Sequence, residues 1–336
     1  MTAVDPAGGL AGSVGPLQDS YDVALLDLDG VVYVGDDAVP HAVEALLAAE
    51  RAGMRPAYVT NNALRTPEEV AAHLRRLGLP AAAGDVVTSA QAAARLLAER
   101  LPAGARVLVA GGEGLRVALR DRGLVPVEGA GEGPVAVVTG HDPGQTWTRL
   151  AEAAVALGRG ARWVAANTDA SIPSPRGPLP GAGAIVAMLA AATGLAPEAV
   201  AGKPHPALHH ESIERTGARH PLVVGDRLDT DIEGAVRGGA ASLLVLTGVS
   251  DAEQVLRAPV HQRPTHLAGD LRGLAQAHPA PSAEGGAVTV GSARARVDDH
   301  LLVVTGDGAM DRLRAACALS WRRADAGDEA LPVRGL

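Results

Sequence analysis

From Tyr21 onward, short and continuously apolar runs alternate with stretches of helical period, and the polar words that stand out follow the apolar runs directly. That alternation predicts α/β architecture, and runs with no polar face predict parallel strands covered by helices on both sides. Strands are expected at Val23–Leu28, Arg55–Thr60, Pro221–Gly225 and Ser242–Leu246. Helices are expected at His41–Ala52, Pro67–Leu77, Ala184–Thr193, Ala207–Thr216 and Thr230–Gly238.

A second α/β set lies in the middle: strands Arg106–Val109, Val135–Thr139 and Trp163–Ala166, with helices near Leu115–Arg122 and Trp147–Leu157. It reads as a domain inserted over 89–182, its return marked by the Pro-rich run Ile172–Pro180 and by Gly181-Ala182-Gly183. The doubly wound core is then expected over 21–88 and 183–280, after a flexible tail at 1–20. Beyond a linker at Pro279–Gly286, strands at Ala287–Val290 and Leu301–Val304 and a helix at Met310–Arg323 form an extension over 281–336. That extension is too short for an ordinary independent domain.

Composition narrows the function classes. Of 336 residues 47% are hydrophobic, enough for a sizeable core, and a net charge of −8 argues against general binding of nucleic acid or anionic membranes. One cysteine, Cys317, excludes an internal disulfide and a multi-cysteine metal site. No apolar run approaches the roughly 18 residues of a membrane span. The first twenty residues carry no Lys or Arg, so no secretory n-region is read and a cytoplasmic protein is expected. Two scarcities are sharper: Lys203 is the only lysine among 30 basic residues, and asparagine occurs only at Asn61, Asn62 and Asn167.

Four polar words follow apolar runs, where open α/β sheets bind ligands. Asp27-Leu28-Asp29-Gly30 puts two acids two residues apart on an extended segment, where both can address one centre. Carboxylates that close repel, and a hard divalent cation such as Mg²⁺ is the usual reason to gather them, although an Asp-Gly turn with two solvated acids explains the word equally well. Thr60-Asn61-Asn62 offers a hydroxyl, amides and backbone N–H groups suited to phosphate oxygens, with capping and turn formation as the simpler reading. Gly202-Lys203-Pro204 places the single ammonium in a loop before a helix, suited to offsetting the charge of a phosphoryl oxygen. In Gly225-Asp226-Arg227-Leu228-Asp229-Thr230-Asp231, Asp226 stands like a further metal ligand and Asp231 like a carboxylate behind it, while Asp229 starts a helix. His205, His209 and His210 read as surface and capping residues, there being no matching Cys/His set.

Taken in chain order, these words resemble the four motifs of the haloacid dehalogenase superfamily at Asp27/Asp29, Thr60, Lys203 and Asp226/Asp231. Leu28–Tyr33, Thr60–Asn62 and Gly225–Ile232 are similar to its subclass IIA phosphatases, which carry an α/β cap between the second and third motifs. Asn167-Thr168-Asp169, followed by Pro173 and Pro180–Gly183, resembles that subclass's cap return. The resemblance spans about 21–280.

It implies Mg²⁺-dependent hydrolysis of a small phosphate monoester. Asp27 would be the nucleophile and Asp29 the acid and base. One Mg²⁺ per site would be bound by Asp27, the Asp29 carbonyl and Asp226, with Asp231 behind them. Thr60, Asn61, Asn62 and Lys203 would hold the phosphoryl group, and Asn167 and Asp169 would face substrate. A homodimer through the cap is one assembly it allows. The loop from Asn167 to Pro173 has no aromatic or His to stack on a ring, which suits a short polyol or hydroxy-acid phosphate. Similar actinobacterial proteins act on glycerol 3-phosphate, which ranks first, ahead of 2-phosphoglycolate and of a broad range including nitrophenyl phosphate, pyridoxal phosphate and nucleotides.

Two rivals come from other classes. A phospho-acceptor signalling domain without turnover also uses Asp, Mg²⁺, Thr and Lys, but carries its acceptor on a later strand. Val109-Ala110-Gly111-Gly112-Glu113-Gly114 follows a strand as a dinucleotide loop does, yet lacks the full GxGxxG and reads as a glycine turn. The extension faintly resembles an acetyltransferase-like tail. Around Thr305–Ala309 it lacks a pyrophosphate loop, so a structural, non-catalytic role is expected.

Overall fold

The computed structural model describes residues 9–172 and 176–336; the first eight residues of the expected tail, and Pro173, lie outside the described residues. The chain forms two compact units, one made of the chain up to Tyr58, Leu77–Leu79 and Thr216–Leu336, the other of Val59–Arg76 and Pro80–Arg215.

The first unit is built on a parallel sheet whose strands run in the order His266–Ala268, Ala241–Val245, Pro221–Gly225, Val23–Leu26 and Arg55–Thr60. Val23–Leu26 and Ala241–Val245 are buried at every position, as strands covered on both faces must be. The expected doubly wound α/β core is therefore present. The last two residues of Arg55–Thr60 belong to the second unit, where Val86–Thr88 comes next in the sheet order.

The extension carries more strands than the two that the sequence reading gave. Five strands, Ser282–Glu284, Ala287–Val290, Ala293–Asp298, Leu301–Thr305 and Val333–Arg334, form one sheet, with the helix Ala309–Asp325 against it. Ser282–Glu284 lies within the expected linker. It pairs antiparallel with Ala287–Val290 across Gly285-Gly286, both at positive φ (56° and 80°), as a two-residue hairpin turn requires. The extension shares one apolar core with the α/β sheet: Val288, Val304, Leu313, Cys317 and Trp321 lie in a single cluster with Ile232, Leu244, Val255 and Leu267. Trp321 donates its indole N–H to the Val255 carbonyl at 3.0 Å, and the Arg314 guanidinium donates to the Leu267 carbonyl.

A buried polar group lies at this junction. His266 is 2% exposed, bonded through Nε2 to the Tyr21 hydroxyl at 2.9 Å and edge-on to His278, which in turn meets Arg314. Burial, reinforced by the charges of His278 and Arg314, lowers its pKa to about 3. A histidine depressed in the fold contributes stability that is present above its unfolded pKa near 6.5 and lost as pH falls from there towards 3. The loss is on the order of 1.4 kcal/mol per pH unit, about 2 kcal/mol between pH 6.5 and 5. Urea unfolding at pH 7 and pH 5 should show that decrease, and His266→Gln should reduce it; equal slopes in both proteins would assign the acid sensitivity elsewhere.

In the second unit a five-stranded parallel sheet runs in the order Ala199–Val200, Arg162–Ala165, Ala136–Thr139, Arg106–Ala110 and Val125–Val127. Helix Ala182–Thr193 packs on it through Leu189, which lies among Leu108, Val137, Ala153, Leu157 and Trp163. This helix and Ala199–Val200 thus stay with the inserted sheet past the Gly181–Gly183 return. Gly111, Gly112 and Gly114 are explained here by packing. A Cβ on Gly112 would collide with Leu64, and one on Gly114 would lie 2.6 Å from the Ala63 and Arg65 carbonyls. The glycine turn is a close backbone approach.

The histidines of helix Pro206–Thr216 need a correction. His210 is exposed as expected, but His209 is 2% exposed and belongs with Leu208, Glu211 and Ser212 on the buried face. The helical register, with 208, 209, 211 and 212 inward, takes it there. Among the described residues the metal-competent cluster contains no histidine.

Candidate active site

In the first unit, Asp27 continues the ladder of Val23–Leu26 by one more bond, its N–H donating to the Val224 carbonyl at 2.8 Å. Leu28, Val31 and Val32 are buried below it and pin the turn, and Gly30 takes the positive φ (86°) that the reversal demands. Asp27 is left half-buried and Asp29 exposed. Asp226 leaves Pro221–Gly225, the neighbouring strand, fully buried. Asp231 is turned inward by a π-helical turn over Leu228–Ile232 and is 1% exposed.

The carboxylates of Asp27, Asp226 and Asp231 converge, with one oxygen from each within 4.8 Å of the others. Three acids this close repel strongly, and an oxygen-only donor set is suited to a hard divalent cation. Backbone groups hold the acids in place: Val249 N–H donates to Asp226 Oδ2 at 2.6 Å and Arg227 N–H to Asp231 Oδ2 at 3.2 Å. Glycines press against them. A Cβ on Gly30 would lie 2.7 Å from Asp226 Oδ2, and Cβ atoms on Gly248 and Gly225 would collide with Asp226 and Asp231 respectively. The Thr247 hydroxyl closes the cradle by donating to the Gly30 carbonyl at 2.6 Å. The residues present therefore fit a divalent metal. Asp231, expected behind the ligands, offers an oxygen to the same cluster, and the Asp29 side chain is not in it.

Gly248→Ala is expected to push the Asp226 carboxylate off the Val249 N–H. Misplacing a ligand's support in this way costs about 10–100-fold in metal affinity. The metal concentration for half-maximal activity should rise by that factor with little change in melting temperature, and an unchanged activation curve would refute the cradle.

In the second unit, Arg55–Thr60 delivers Thr60, 5% exposed, whose Oγ1 accepts the Asn62 N–H at 3.1 Å. Asn62 Oδ1 accepts from Leu64 and Arg65 N–H at 2.8 and 3.2 Å, a side-chain turn that leads into helix Pro67–Arg76. Asn61 Oδ1 accepts the Lys203 N–H at 2.8 Å. Both asparagine side chains, expected at the phosphate, are thus engaged by protein groups. Lys203 is 4% exposed, its Nζ 3.5 Å from the Val59 carbonyl. Asn167, also 4% exposed, donates to the Asn61 carbonyl at 2.7 Å, and its Oδ1 accepts the Asp169 N–H at 3.1 Å.

Sequence reasoning missed Gly248 and Thr247. No local pattern marks them, because their part is defined by Gly30 and Asp226, which are distant in the chain.

A model of the haloacid dehalogenase-like hydrolases matches residues 24–125, and a HAD-hydrolase-like model matches 200–274. The chain is 45% identical, over 95% of its length and 91% of the relative's, to D-glycerol 3-phosphate phosphatase of Mycobacterium tuberculosis. It is 39% identical to the acid sugar phosphatase of Staphylococcus aureus over 75% of this chain and 95% of that one. Crystal structures of the mycobacterial glycerol phosphate phosphatase in complex with calcium and with magnesium both superpose with a TM-score of 0.85. The calcium complex is 43% identical and covers 95% of this chain and 94% of that one. The chain belongs to the haloacid dehalogenase-like hydrolases, and it is an enzyme of their phosphohydrolase kind. Its acidic cluster, together with one relative solved both with Ca²⁺ and with Mg²⁺, is that of an enzyme with a divalent-metal cofactor.

Proposed function

We propose that this protein is a Mg²⁺-dependent phosphatase of small polyol and hydroxy-acid phosphates, glycerol 3-phosphate first and 2-phosphoglycolate next. The convergence of Asp27, Asp226 and Asp231 carries the reading, supported by the 45% identity to a D-glycerol 3-phosphate phosphatase.

Asp27 attacks phosphorus as the bond to the leaving oxygen breaks, forming an aspartyl-phosphate. Asp29 gives its proton to the departing alkoxide, then takes one from the water that cleaves the intermediate and releases phosphate. Its exposure suits a group that must exchange protons between the two steps. Asp27, Asp226 and Asp231, with the Asp29 carbonyl as a further oxygen, would hold one Mg²⁺, which would supply positive charge to offset the negative charge of the phosphoryl oxygens. The Thr60 hydroxyl donates to the phosphoryl group and the Lys203 ammonium lies against it, with Asn61 and Asn62 shaping the loop that carries these contacts. Asp169 is half-exposed, and its carboxylate is of a kind that accepts from the hydroxyls of a polyol. The α/β unit around Arg106–Val200 acts as the cap.

Trp147, 78% exposed, and Val155 on helix Trp147–Gly158 suit a homodimer through the cap, which light scattering would test. Among the described residues no helix is long and apolar enough to cross a membrane, and we place the enzyme in the cytoplasm.

Steady-state phosphate release from a panel of monoesters with Mg²⁺ tests the reading. Glycerol 3-phosphate should give the highest kcat/KM. A nucleotide or pyridoxal phosphate ahead by tenfold, about 1.4 kcal/mol, would overturn the substrate choice. Release of no more than one phosphate per chain would make it an acceptor.

A further inference from the structure

Two asparagines and the only lysine of the chain meet in one hydrogen-bonded network centred on Asn61. Its side-chain amide grips the Lys203 peptide at both ends: Oδ1 accepts the Lys203 N–H at 2.8 Å and Nδ2 donates to the Lys203 carbonyl at 3.2 Å. The same Nδ2 lies 3.3 Å from each oxygen of Asp169. The Asn61 carbonyl accepts from the Asn167 amide at 2.7 Å and from the Ser89 hydroxyl at 2.6 Å. The neighbouring backbone is shaped to admit this side chain, since a Cβ on Gly202 would lie 2.6 Å from Asn61 Oδ1 and 2.9 Å from the Ala166 carbonyl. Asparagine suits the job chemically. Aspartate lacks the donor, and glutamine places its amide one methylene further out.

We infer that Asn61 is a positioning residue: its amide holds the Lys203 peptide and the Asp169 carboxylate in one fixed arrangement, so that the phosphate-binding lysine and the return loop of the inserted domain are set together. The inference rests on the phosphatase reading for the role of Lys203, and it departs from the sequence expectation in giving the Asn61 side chain to protein partners instead of phosphate. A lysine has a long, flexible stem, so its ammonium is placed no better than the backbone it springs from. Misplacement of a catalytic group by about 1 Å can cost about 100-fold in rate.

A polarity exchange tests it. Asn61→Asp keeps the acceptor for Lys203 N–H, loses the donor, and sets a carboxylate against Asp169. The kcat for nitrophenyl phosphate should fall about tenfold or more, with the Mg²⁺ activation curve unchanged because the metal acids belong to the other unit. Adding Asp169→Asn puts an amide at 169 that donates to the carboxylate at 61. The double variant should recover most of the lost kcat, giving a coupling between the two positions in the double-mutant cycle. Were the Asn61 amide a direct phosphate ligand, the carboxylate would repel the substrate dianion in both variants; KM would rise and no recovery would follow, which overturns the inference. Equal losses in both variants with a shifted Mg²⁺ curve, a sign of general damage, would overturn it as well. A wild-type protein without turnover would instead sink the phosphatase reading, and the same cycle in unfolding free energies would still show or refute the Asn61–Asp169 coupling.

Discussion

Asp27→Asn is expected to abolish turnover, lowering kcat by several powers of ten, while the fold remains intact. The substitution preserves size and hydrogen-bonding reach but replaces an anionic nucleophile with a neutral amide, so no aspartyl-phosphate can form. The backbone bond from the Asp27 N–H to the Val224 carbonyl is untouched by the substitution. Asp27, Asp226 and Asp231 crowd together, so losing one of the three charges relieves repulsion in the metal-free protein. Its metal-free melting temperature should therefore hold or rise. Rapid quenching with labelled substrate should trap phosphoprotein in the wild type and none in the variant. More than about a tenth of wild-type activity in the purified variant would reject Asp27 as nucleophile.

Trp321→Ala is expected to have the largest effect on stability, and it decides whether the extension is an appendage or part of the core. Trp321 is 3% exposed, lies 5.4 Å below the Arg263 guanidinium, and caps the Val255 carbonyl. Truncating a buried tryptophan costs about 3–5 kcal/mol, and leaving that carbonyl without its donor adds to it. Domains are stable by only about 5–15 kcal/mol, so roughly a fifth of the margin or more would go. Because Val255, Leu244 and Ile232 share the cluster with Trp321, the α/β sheet and the extension should unfold in one transition, shifted together to lower urea. An early transition confined to the extension, with hydrolysis surviving beyond it, would contradict the shared core. Activity per folded molecule should be unchanged, as expected of a structural extension.

The strands that carry the chemistry were legible because they are apolar on both faces and end in polar words. Val23–Leu26, Arg55–Thr60 and Pro221–Gly225 lie where the pattern placed them, to within two residues. Where a segment lacked a period it went unread. Helix Ser89–Ala98 buries Ala90, Ala92, Ala93 and Ala94 together, so it has no polar stripe to betray a helix; the capping box of Thr88 and Gln91 was its one local signal. Ala293–Asp298 alternates alanine with arginine, a period of two written in a poor strand former.

The residue types needed for phosphoryl chemistry, and their order after successive strands, were determined by the sequence alone: acids at 27, 29, 226 and 231, a hydroxyl at 60, one lysine at 203. Local polarity and spacing carry that much, because a strand end is written in neighbouring residues. Which acids share a centre was decided by the tertiary structure. Asp231 joins Asp27 and Asp226 because a π-turn, not a regular helix, follows Arg227, and the Asp29 carboxylate stays out because the chain reverses at Gly30. The use of Asn61 was decided there too. An amide at a strand end reads as a phosphate ligand until the backbone of a residue 142 positions away comes to occupy it. Such assignments depend on distances between segments remote in the chain, and those distances exist only once the core has packed.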